Sequence, residues 1–197
     1  MGRGVKDELA RRNERARPRE AQRSIVVPTD RGEVHHEAEF VIGLRLPDGH
    51  RIGDALTESR AAEAIVAYTV GLDLTLRDRQ SAAKKAGEPW AASKGFPGSA
   101  PLAALRRARL EAAFGSWQLQ LDVNGESRQR APLSDMTLSP AAIVAHLSRR
   151  FPLADGDLVF TGTPAGVGSL ASGDRVEAAL GAPESIRAVA TVLVAKP

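Results

Sequence analysis

The sequence predicts a strand-dominated α+β domain, folded as a mixed β-roll or a barrel-like sandwich. Segments rich in β-branched and alternating apolar residues clearly outnumber the helical segments. Several of these segments follow one another across short turns, as hairpins do. The helical segments are too few to cover both faces of a doubly wound sheet. With 197 residues, 43% of them apolar, the chain is long enough to bury one sizeable core.

Eight segments are predicted to be strands because apolar and β-branched residues recur there between turn residues. They are Ser24–Pro28, Glu37–Leu46, Tyr68–Leu76, Trp117–Val123, Glu126–Arg130, Asp157–Thr161, Asp174–Leu180 and Ile186–Val194. The dipeptide Asn124-Gly125 separates two of them and favours a tight hairpin turn.

Three short helices are predicted between these strands. They span about Thr57–Ala67, Arg77–Ala86 and Ser139–Arg149. Thr57 or Ser59 can cap the first helix, and Gly87 can end the second. The third begins with a serine followed by a proline, a combination that suits a helix N-terminus.

Basic residues are concentrated at the start of the chain. Residues 1–23 carry eight Lys or Arg and four Asp or Glu, whereas the formal net charge of the whole chain is only +3. This segment is expected to be a solvated, partly disordered arm or a degenerate lid, and residues 24–197 to form a single domain. No nucleic-acid partner is expected, since a binder would spread basic residues over a folded face. The absence of cysteine, of a leader and of a membrane span favours a cytoplasmic protein.

Three acidic residues stand in apolar surroundings. Glu37 and Glu39 are two positions apart in one predicted strand, so their side chains point to the same face. Asp73 lies between two leucines in another strand, where a lone buried carboxylate is unfavourable. One divalent cation held by all three would relieve both problems, and hard oxygen ligands suit Mg²⁺, Mn²⁺ or Ca²⁺. The pattern is also compatible with a solvated strand edge and an ion pair between Asp73 and Arg77.

The histidines are weaker candidates for a metal site. His35 and His36 directly precede Glu37, but adjacent residues of a strand face opposite ways, so at most one can join the acids. His50 follows a turn and His146 lies within a predicted helix, so both are expected to be structural.

The segment Phe160–Gly168, FTGTPAGVG, holds two threonines, one proline and three glycines directly after an apolar run. Such a composition is typical of a turn after a strand. It is also compatible with a binding loop, in which backbone N–H groups near Gly162–Gly166 and threonine hydroxyls meet an anion.

Seven short motifs, in this order and spacing, resemble those of the fumarylacetoacetate hydrolase family. They are VHHEAEF, GLDLTLRDRQ, KKAGEPW, SKGF, VNGE, FTGTPAGVG and SGD. The similarity covers roughly residues 25–180 and is closest to the small acylpyruvase and oxaloacetate decarboxylase or tautomerase members. It implies the β-roll of the family's C-terminal domain, a metal-dependent enzyme, usually a homodimer, and one Mg²⁺ or Mn²⁺ per chain.

The resemblance also implies a role for seven residues. The metal ligands would be Glu37, Glu39 and Asp73. The substrate-binding residues would be Arg77, Gln80 and Thr163, and the catalytic residue would be Lys94. The substrate would be a small 2-oxo or 2,4-dioxo acid. No membrane partner is expected. The cation would act as a Lewis acid and stabilise the enolate of this acid. Acylpyruvate hydrolysis, oxaloacetate decarboxylation and keto–enol tautomerisation or isomerisation all pass through such an enolate.

Two of these residues have plain structural alternatives. Lys94 lies in a loop rich in proline and glycine, where a lysine is ordinarily solvated. Arg77 can form a salt bridge with Asp78 or Asp73 instead of gripping a substrate carboxylate. Asp135, before the third helix, is expected to be a turn or cap residue.

The chain departs from the family in the lid that precedes the domain. Family hydrolases carry a pattern like RNYxxHxxE, whose His–Glu pair activates water. Here Arg12-Asn13 and Glu20 resemble its ends, but Arg17 stands where the histidine would be, and an arginine cannot act as a base. Hydrolysis is therefore expected to suffer most, and tautomerisation or decarboxylation least. The alternative is a degenerate paralogue that binds metal and ligand with little turnover, as a non-catalytic partner subunit.

Overall fold

Twelve strands and three α-helices make up the part of the chain that the structure describes. The structure is a computed structural model, and it describes residues 23–26, 32–51, 53–107, 112–182 and 185–195. The strands are β1 Arg23–Val26, β2 Val34–His36, β3 Ala38–Leu44, β4 Ile65–Leu72, β5 Thr75–Leu76, β6 Arg106–Arg107, β7 Gln118–Val123, β8 Glu126–Pro132, β9 Leu158–Phe160, β10 Gly168–Ser169, β11 Arg175–Ala182 and β12 Ser185–Ala195. The helices are α1 Glu58–Ala64, α2 Arg77–Ala86 and α3 Pro140–Ser148.

The strands form three sheets. The five-stranded sheet has the order β1-β12-β11-β7-β8, the four-stranded sheet β6-β4-β3-β9, and the three-stranded sheet β10-β2-β5. All of these pairs are antiparallel except β1 with β12. Each sheet keeps two free edges among the described strands, so no closed barrel forms there. The predicted strand-dominated α+β class is confirmed.

One two-stranded ribbon passes from the four-stranded sheet into the three-stranded sheet. β3 pairs with β4 up to Ala38 opposite Leu72, and β2 pairs with β5 from His35 opposite Thr75. Between the two ladders, the Asp73 N–H donates to the Glu37 carbonyl at 2.8 Å. Both strands are interrupted at this crossing, and two of the three acidic residues lie there.

The core is built on the buried faces of the sheets. All seven residues of β3 are buried, because this strand lies between β4 and β9 and is covered on both faces. β7 alternates buried and half-buried residues, as expected for a strand with one core face. An aromatic cluster of Phe40, Tyr68, Phe114 and Trp117 packs edge-to-face or tilted, with ring centroids 4.5–5.6 Å apart.

The predicted elements are present, with shifted ends. The first helix stops at Ala64 instead of Ala67, because the β-branched Ile65 begins β4 at once. The predicted strand Tyr68–Leu76 divides into β4 and β5 at the ribbon crossing. The predicted strand Glu37–Leu46 corresponds to β3 alone, and β2, on the other side of the crossing, was not predicted. α2 ends at Gly87 in the left-handed conformation (φ 70°), and Thr57 caps α1 as expected. The two-residue strands β6 and β10 were not predicted, because such short pairings are decided by their partner strands.

Some predictions lie outside the described residues. Nearly all of the predicted arm, residues 1–23, is among them, including the lid remnant at Arg12, Asn13, Arg17 and Glu20. Among the described helices, none combines the length and apolar character needed to cross a bilayer.

Candidate active site

Three carboxylates converge where the ribbon crosses between sheets. Glu37, Glu39 and Asp73 each offer one oxygen, and these oxygens all lie within 4.8 Å of one another. Glu39 is 4% exposed and Glu37 8%. The spacing of two places both glutamates on one side of the chain, and the Asp73–Glu37 backbone bond brings in the third acid. The convergence anticipated from the sequence is therefore present.

A lysine ammonium lies within hydrogen-bonding distance of two of these acids. Lys94 Nζ is 2.8 Å from Glu37 Oε2 and 2.5 Å from Asp73 Oδ2. Its loop follows α2 and passes through the 3-10 turn Ala91–Ser93, where the Lys94 N–H donates to the Ala91 carbonyl. The side chain is only 25% exposed, so the solvent-exposed alternative for Lys94 is wrong.

An arginine provides the second cation. Arg77 begins α2, and its Nη2 lies 2.5 Å from Glu37 Oε1. Its Nη1 donates to Gln80 Oε1 at 2.7 Å, and its Nε donates to His35 Nδ1 at 3.4 Å. The alternative ion pairs of Arg77 with Asp78 or Asp73 are not the ones observed, since Glu37 takes that place. Gln80 lies one helical turn along α2 and holds the guanidinium.

Burial and neighbouring charge act against ionisation of Glu39. Burial raises the pKa of Glu39 to about 7; the Gly162 N–H, which donates to Glu39 Oε2 at 2.7 Å, opposes this rise. The negative charges of Asp73 and Glu37 add to the rise in pKa. A further positive charge at this position would stabilise the ionised form of Glu39.

Lys94 and Arg77 lower the pKa of Glu37 more effectively than Lys94 lowers that of Asp73. Burial favours the neutral form of Glu37, but hydrogen bonds from Lys94 and Arg77 outweigh it, so the pKa of Glu37 is lowered. The pKa of Asp73 is raised, because burial exceeds the effect of Lys94. Burial would lower the pKa of Lys94, yet its bonds to Asp73 and Glu37 raise it, so Lys94 is charged.

The Phe160–Gly168 segment, hereafter the TGTP loop, is tied to the acid-bearing strand. The Thr161 hydroxyl donates to the Phe40 carbonyl at 2.7 Å, and the Gly162 N–H meets Glu39. Gly162 has φ 101°, a conformation that glycine adopts without strain. Of the loop N–H groups expected to bind an anion, that of Gly162 thus binds a protein carboxylate. Thr163 accepts a hydrogen bond from Gln129 Nε2 at 2.8 Å.

Gln129 was not predicted from the sequence to belong to the site. It is 1% exposed and is the only fully buried residue of β8. Its amide contacts His36, the Ala38 N–H, Thr163 and the Pro164 carbonyl. A glutamine between two arginines in a polar strand gives no sign of this role, because the partners come from distant parts of the chain.

The histidines lie outside the acid cluster itself. His36 is buried against Gln129, and burial lowers the pKa of its ring. His35 contacts Arg77 and Glu33. His146 lies on α3 and contacts Arg150, which follows the end of that helix. Asp135 lies in the 3-10 turn Leu133–Asp135, as its prediction as a turn residue requires.

An apolar cavity of about 420 Å³ adjoins the TGTP loop, and Gly162 and Thr163 of that loop are among its lining residues. Its lining includes Phe40, Pro132, Met136, Ile143, Phe160 and Pro164. Phe40 and Glu39 are adjacent in β3 and therefore face opposite ways. The cavity and the acid cluster share the loop but lie on different faces of this strand.

The donor set suits a divalent cation. Three carboxylates carry three negative charges when ionised, against two positive charges on Lys94 and Arg77. Their oxygens are close enough to share one ion, and all are hard ligands of the kind that Mg²⁺ and Mn²⁺ prefer. Burial, together with the charges of Asp73 and Glu37, raises the pKa of Glu39, and a cation bound beside it would oppose that rise.

Comparisons with known proteins agree with this fold. The family model described as fumarylacetoacetate (FAA) hydrolase C-terminal matches residues 14–193. Oxaloacetate tautomerase YcgM of Escherichia coli is 42% identical over 153 residues, which are 77% of this chain and 68% of that protein. The mitochondrial oxaloacetate tautomerase FAHD1 of Rattus norvegicus is 36% identical over 163 residues, which are 83% of this chain and 72% of that protein.

Solved structures give the same result. Fumarylpyruvate hydrolase from Pseudomonas aeruginosa, in complex with Mn²⁺ and pyruvate, superposes with a TM-score of 0.76 at 34% identity, over 88% of this chain and 72% of that one. The 5-carboxymethyl-2-hydroxymuconate delta-isomerase from Mycobacterium smegmatis has a TM-score of 0.74 at 32% identity, over 89% and 64%. The chain belongs to the fumarylacetoacetate hydrolase family, and it is an enzyme. The non-catalytic alternative finds no support in these relatives.

Proposed function

We propose that the protein catalyses the keto–enol tautomerisation of oxaloacetate or of a closely similar small 2-oxo acid. One observation carries the proposal: a charged lysine and an arginine lie within a cluster of three carboxylates that can hold a divalent cation. Such a site offers a cation for the oxygens of an oxo acid, a proton donor and a carboxylate-binding guanidinium. The two relatives named as oxaloacetate tautomerases share 36–42% of their aligned residues with this chain.

The residues that would hold Mg²⁺ or Mn²⁺ are Glu37, Glu39 and Asp73. When bound, the cation supplies Lewis acidity that favours the enolate form of a 2-oxo acid. Glu37 and Asp73 then have two roles, since the same carboxylates also hold Lys94.

Lys94 is the proton donor in this proposal. In the enol-to-keto direction, C3 of the substrate gains a proton and the C2 hydroxyl loses one. The Lys94 ammonium supplies the proton to C3, and solvent accepts the hydroxyl proton. Solvent then returns a proton to Lys94, so that no co-reactant is consumed. The contacts with Glu37 and Asp73 favour the ammonium form between turnovers, because they raise the pKa of Lys94.

Arg77 and Thr163 are proposed to bind the carboxylates of the substrate. The guanidinium of Arg77 is oriented by Gln80 and His35, so a substrate meets it in one fixed direction. Thr163 lies in the TGTP loop, one residue beyond the glycine that contacts Glu39.

Tautomerisation is proposed ahead of hydrolysis because it requires no water-activating base. Among the described residues, no histidine lies in the acid cluster: His36 faces Gln129, and His35 faces Arg77 and Glu33. Arg17, at the position of the lid histidine of family hydrolases, cannot accept a proton.

The test follows ultraviolet absorbance of the enol after mixing oxaloacetate into buffer with the protein and Mg²⁺ or Mn²⁺. We expect metal-dependent acceleration of enol–keto equilibration and no comparable release of pyruvate. A chelator should abolish the acceleration, and re-addition of metal should restore it. Cleavage of acetylpyruvate or fumarylpyruvate faster than oxaloacetate equilibration would contradict the proposal and assign the protein to the hydrolases.

The assembly is a separate proposal. We propose a homodimer with one cation per chain, as the family resemblance implies. Sedimentation velocity of the full chain with Mg²⁺ tests it, and a single species of monomer mass would contradict it.

A further inference from the structure

Gln129 joins three parts of the chain that are distant in sequence. Its Oε1 accepts from the Ala38 N–H at 3.0 Å and lies 3.2 Å from His36 Nδ1. Its Nε2 donates to Thr163 Oγ1 at 2.8 Å and to the Pro164 carbonyl at 3.0 Å. All four hydrogen-bonding positions of the amide are used, and the side chain is 1% exposed.

Two backbone groups determine which way the amide points. The Ala38 N–H can only donate, so it must face the oxygen of Gln129. The Pro164 carbonyl can only accept, so it must face the nitrogen. A flipped amide would place like groups together on both sides, leaving buried groups unsatisfied.

This orientation determines the protons of the two side-chain partners. The neutral ring of His36 must carry its proton on Nδ1, since that nitrogen faces an oxygen acceptor. Thr163 Oγ1 accepts from Gln129, so the hydroxyl proton of Thr163 must be given to a different partner.

We propose that Gln129 is a positioning residue that makes the Thr163 hydroxyl a hydrogen-bond donor to the substrate carboxylate. The inference rests on the proposed function, in which Thr163 binds that carboxylate. A carboxylate only accepts hydrogen bonds, and Thr163 donates its hydroxyl proton to none of the described residues, so this hydroxyl is a suitable partner. The chemical class selected at this position is therefore a hydrogen-bond acceptor, such as a carboxylate oxygen, rather than a group that only donates, such as an ammonium.

The same side chain sets the distance between the TGTP loop and the acids. Ala38 stands between Glu37 and Glu39, and its N–H is held by the amide that also holds Thr163 and Pro164. The loop approaches β8 so closely that a Cβ on Gly166 would lie 2.0 Å from the Arg128 carbonyl oxygen. Gln129 thus joins the acid-bearing strand and the loop through contacts buried from water.

The experiment uses Gln129→Glu in the full chain with Mg²⁺. The new carboxylate has the same shape but no donor, so the Pro164 carbonyl loses its partner, and the Thr163 hydroxyl turns toward the carboxylate and is lost to the substrate. We expect the KM for oxaloacetate, and the Kd for oxalate by calorimetry, to rise about tenfold, with kcat changed less than about threefold. The matched control is Gln120→Glu on neighbouring β7, which should change neither constant. Unchanged KM and Kd in Gln129→Glu would overturn the inference.

A double mutant tests whether Gln129 acts through Thr163. Thr163→Val should raise the KM and Kd by itself, and adding Gln129→Glu should raise them less than about twofold further. Multiplying effects would show that Gln129 acts by another route and would overturn the inference. If Gln129→Glu does not fold by circular dichroism, Gln129→Met, which removes the donor that orients the Thr163 hydroxyl, should raise the KM and Kd by a smaller factor, and unchanged constants would overturn the inference.

The wild-type protein provides a readout that needs no variant. Nitrogen-15 spectra of the histidine rings should show neutral His36 protonated on Nδ1, and the opposite tautomer would overturn the inference. If the wild type neither equilibrates oxaloacetate nor binds oxalate, the proposed function fails, whereas the His36 tautomer still reports the amide orientation. If the wild type is active and Gln129→Glu matches it, only this inference fails.

Discussion

The acid cluster and the TGTP loop are held in place by different kinds of interaction. The acids lie at the crossing of an antiparallel ribbon between two sheets, where a backbone bond from Asp73 to Glu37 sets their spacing and two cations balance their charge. Between β9 and β10 the loop has no such ladder. It is held by the Thr161 hydroxyl, the Gly162 N–H and the Gln129 amide. Electrostatic substitutions should therefore disable the first region, and steric or hydrogen-bonding substitutions the second.

The largest effect is expected from Glu37→Ala, which removes a carboxylate that serves the cation, Lys94 and Arg77 together. The affinity for Mn²⁺ should fall more than about 100-fold, since loss of groups that merely support ligands already costs 10–100-fold. Calorimetry of the metal-free protein measures this. Glu63→Gln, a charge change on exposed α1, is the control and should leave the affinity unchanged. Tight Mn²⁺ binding by Glu37→Ala would remove Glu37 from the ligand set.

Lys94→Met should separate chemistry from metal binding. Enol–keto equilibration should slow about 10²- to 10⁴-fold, the range for loss of an acid–base group. Metal affinity should be kept or increased, because the ammonium no longer competes for Glu37 and Asp73. Stopped-flow absorbance and calorimetry give the two values, with Lys85→Met on exposed α2 as the control. A variant that loses metal but retains its rate per bound metal would show that Lys94 is structural.

The loop side of the comparison is tested by two glycines with the same positive φ. Gly162 and Gly166 both have φ 101°, but a Cβ has open space at Gly162 and meets the Arg128 carbonyl at Gly166. Gly162→Ala should lower the free energy of unfolding by about 1–2 kcal/mol through backbone strain. Gly166→Ala should cost at least about 3 kcal/mol, because the loop must leave β8. Urea denaturation measures both, and equal losses would show that the close approach to β8 is not required.

The smallest effect is expected from Thr161→Val. The hydroxyl bond to the Phe40 carbonyl contributes about 1 kcal/mol, so the free energy of unfolding should fall by about that amount. Metal affinity should not change, since the acids are held by the ribbon. Thr137→Val on the exposed turn before α3 is the control. A loss of metal affinity in Thr161→Val would show that the loop anchors also position the acids.

The sequence predicted the acid cluster better than the loop that closes it. Glu37 and Glu39 follow from a spacing of two in a strand, and the unfavourable position of Asp73 marks it as a residue that needs a partner. The Phe160–Gly168 composition indicates a binding loop, but neither spacing nor composition indicates that Gln129 holds it. The crossing between sheets at Glu37 and Asp73 was missed for a related reason. A strand that passes from one sheet to another changes its pairing partners, but its residues keep the same strand preferences.

Local rules suffice where neighbours along the chain decide the outcome. Residues within a few positions of one another determine the alternation of Gln118–Val123, the turn at Asn124-Gly125 and the left-handed end of α2 at Gly87. The family motifs are likewise short and can be read directly from the sequence. The partners of Lys94, of Arg77 and of Gln129 were decided only in the tertiary structure. Their hydrogen bonds join residues up to 93 positions apart, and such contacts depend on which sheet edges meet, which no local preference records.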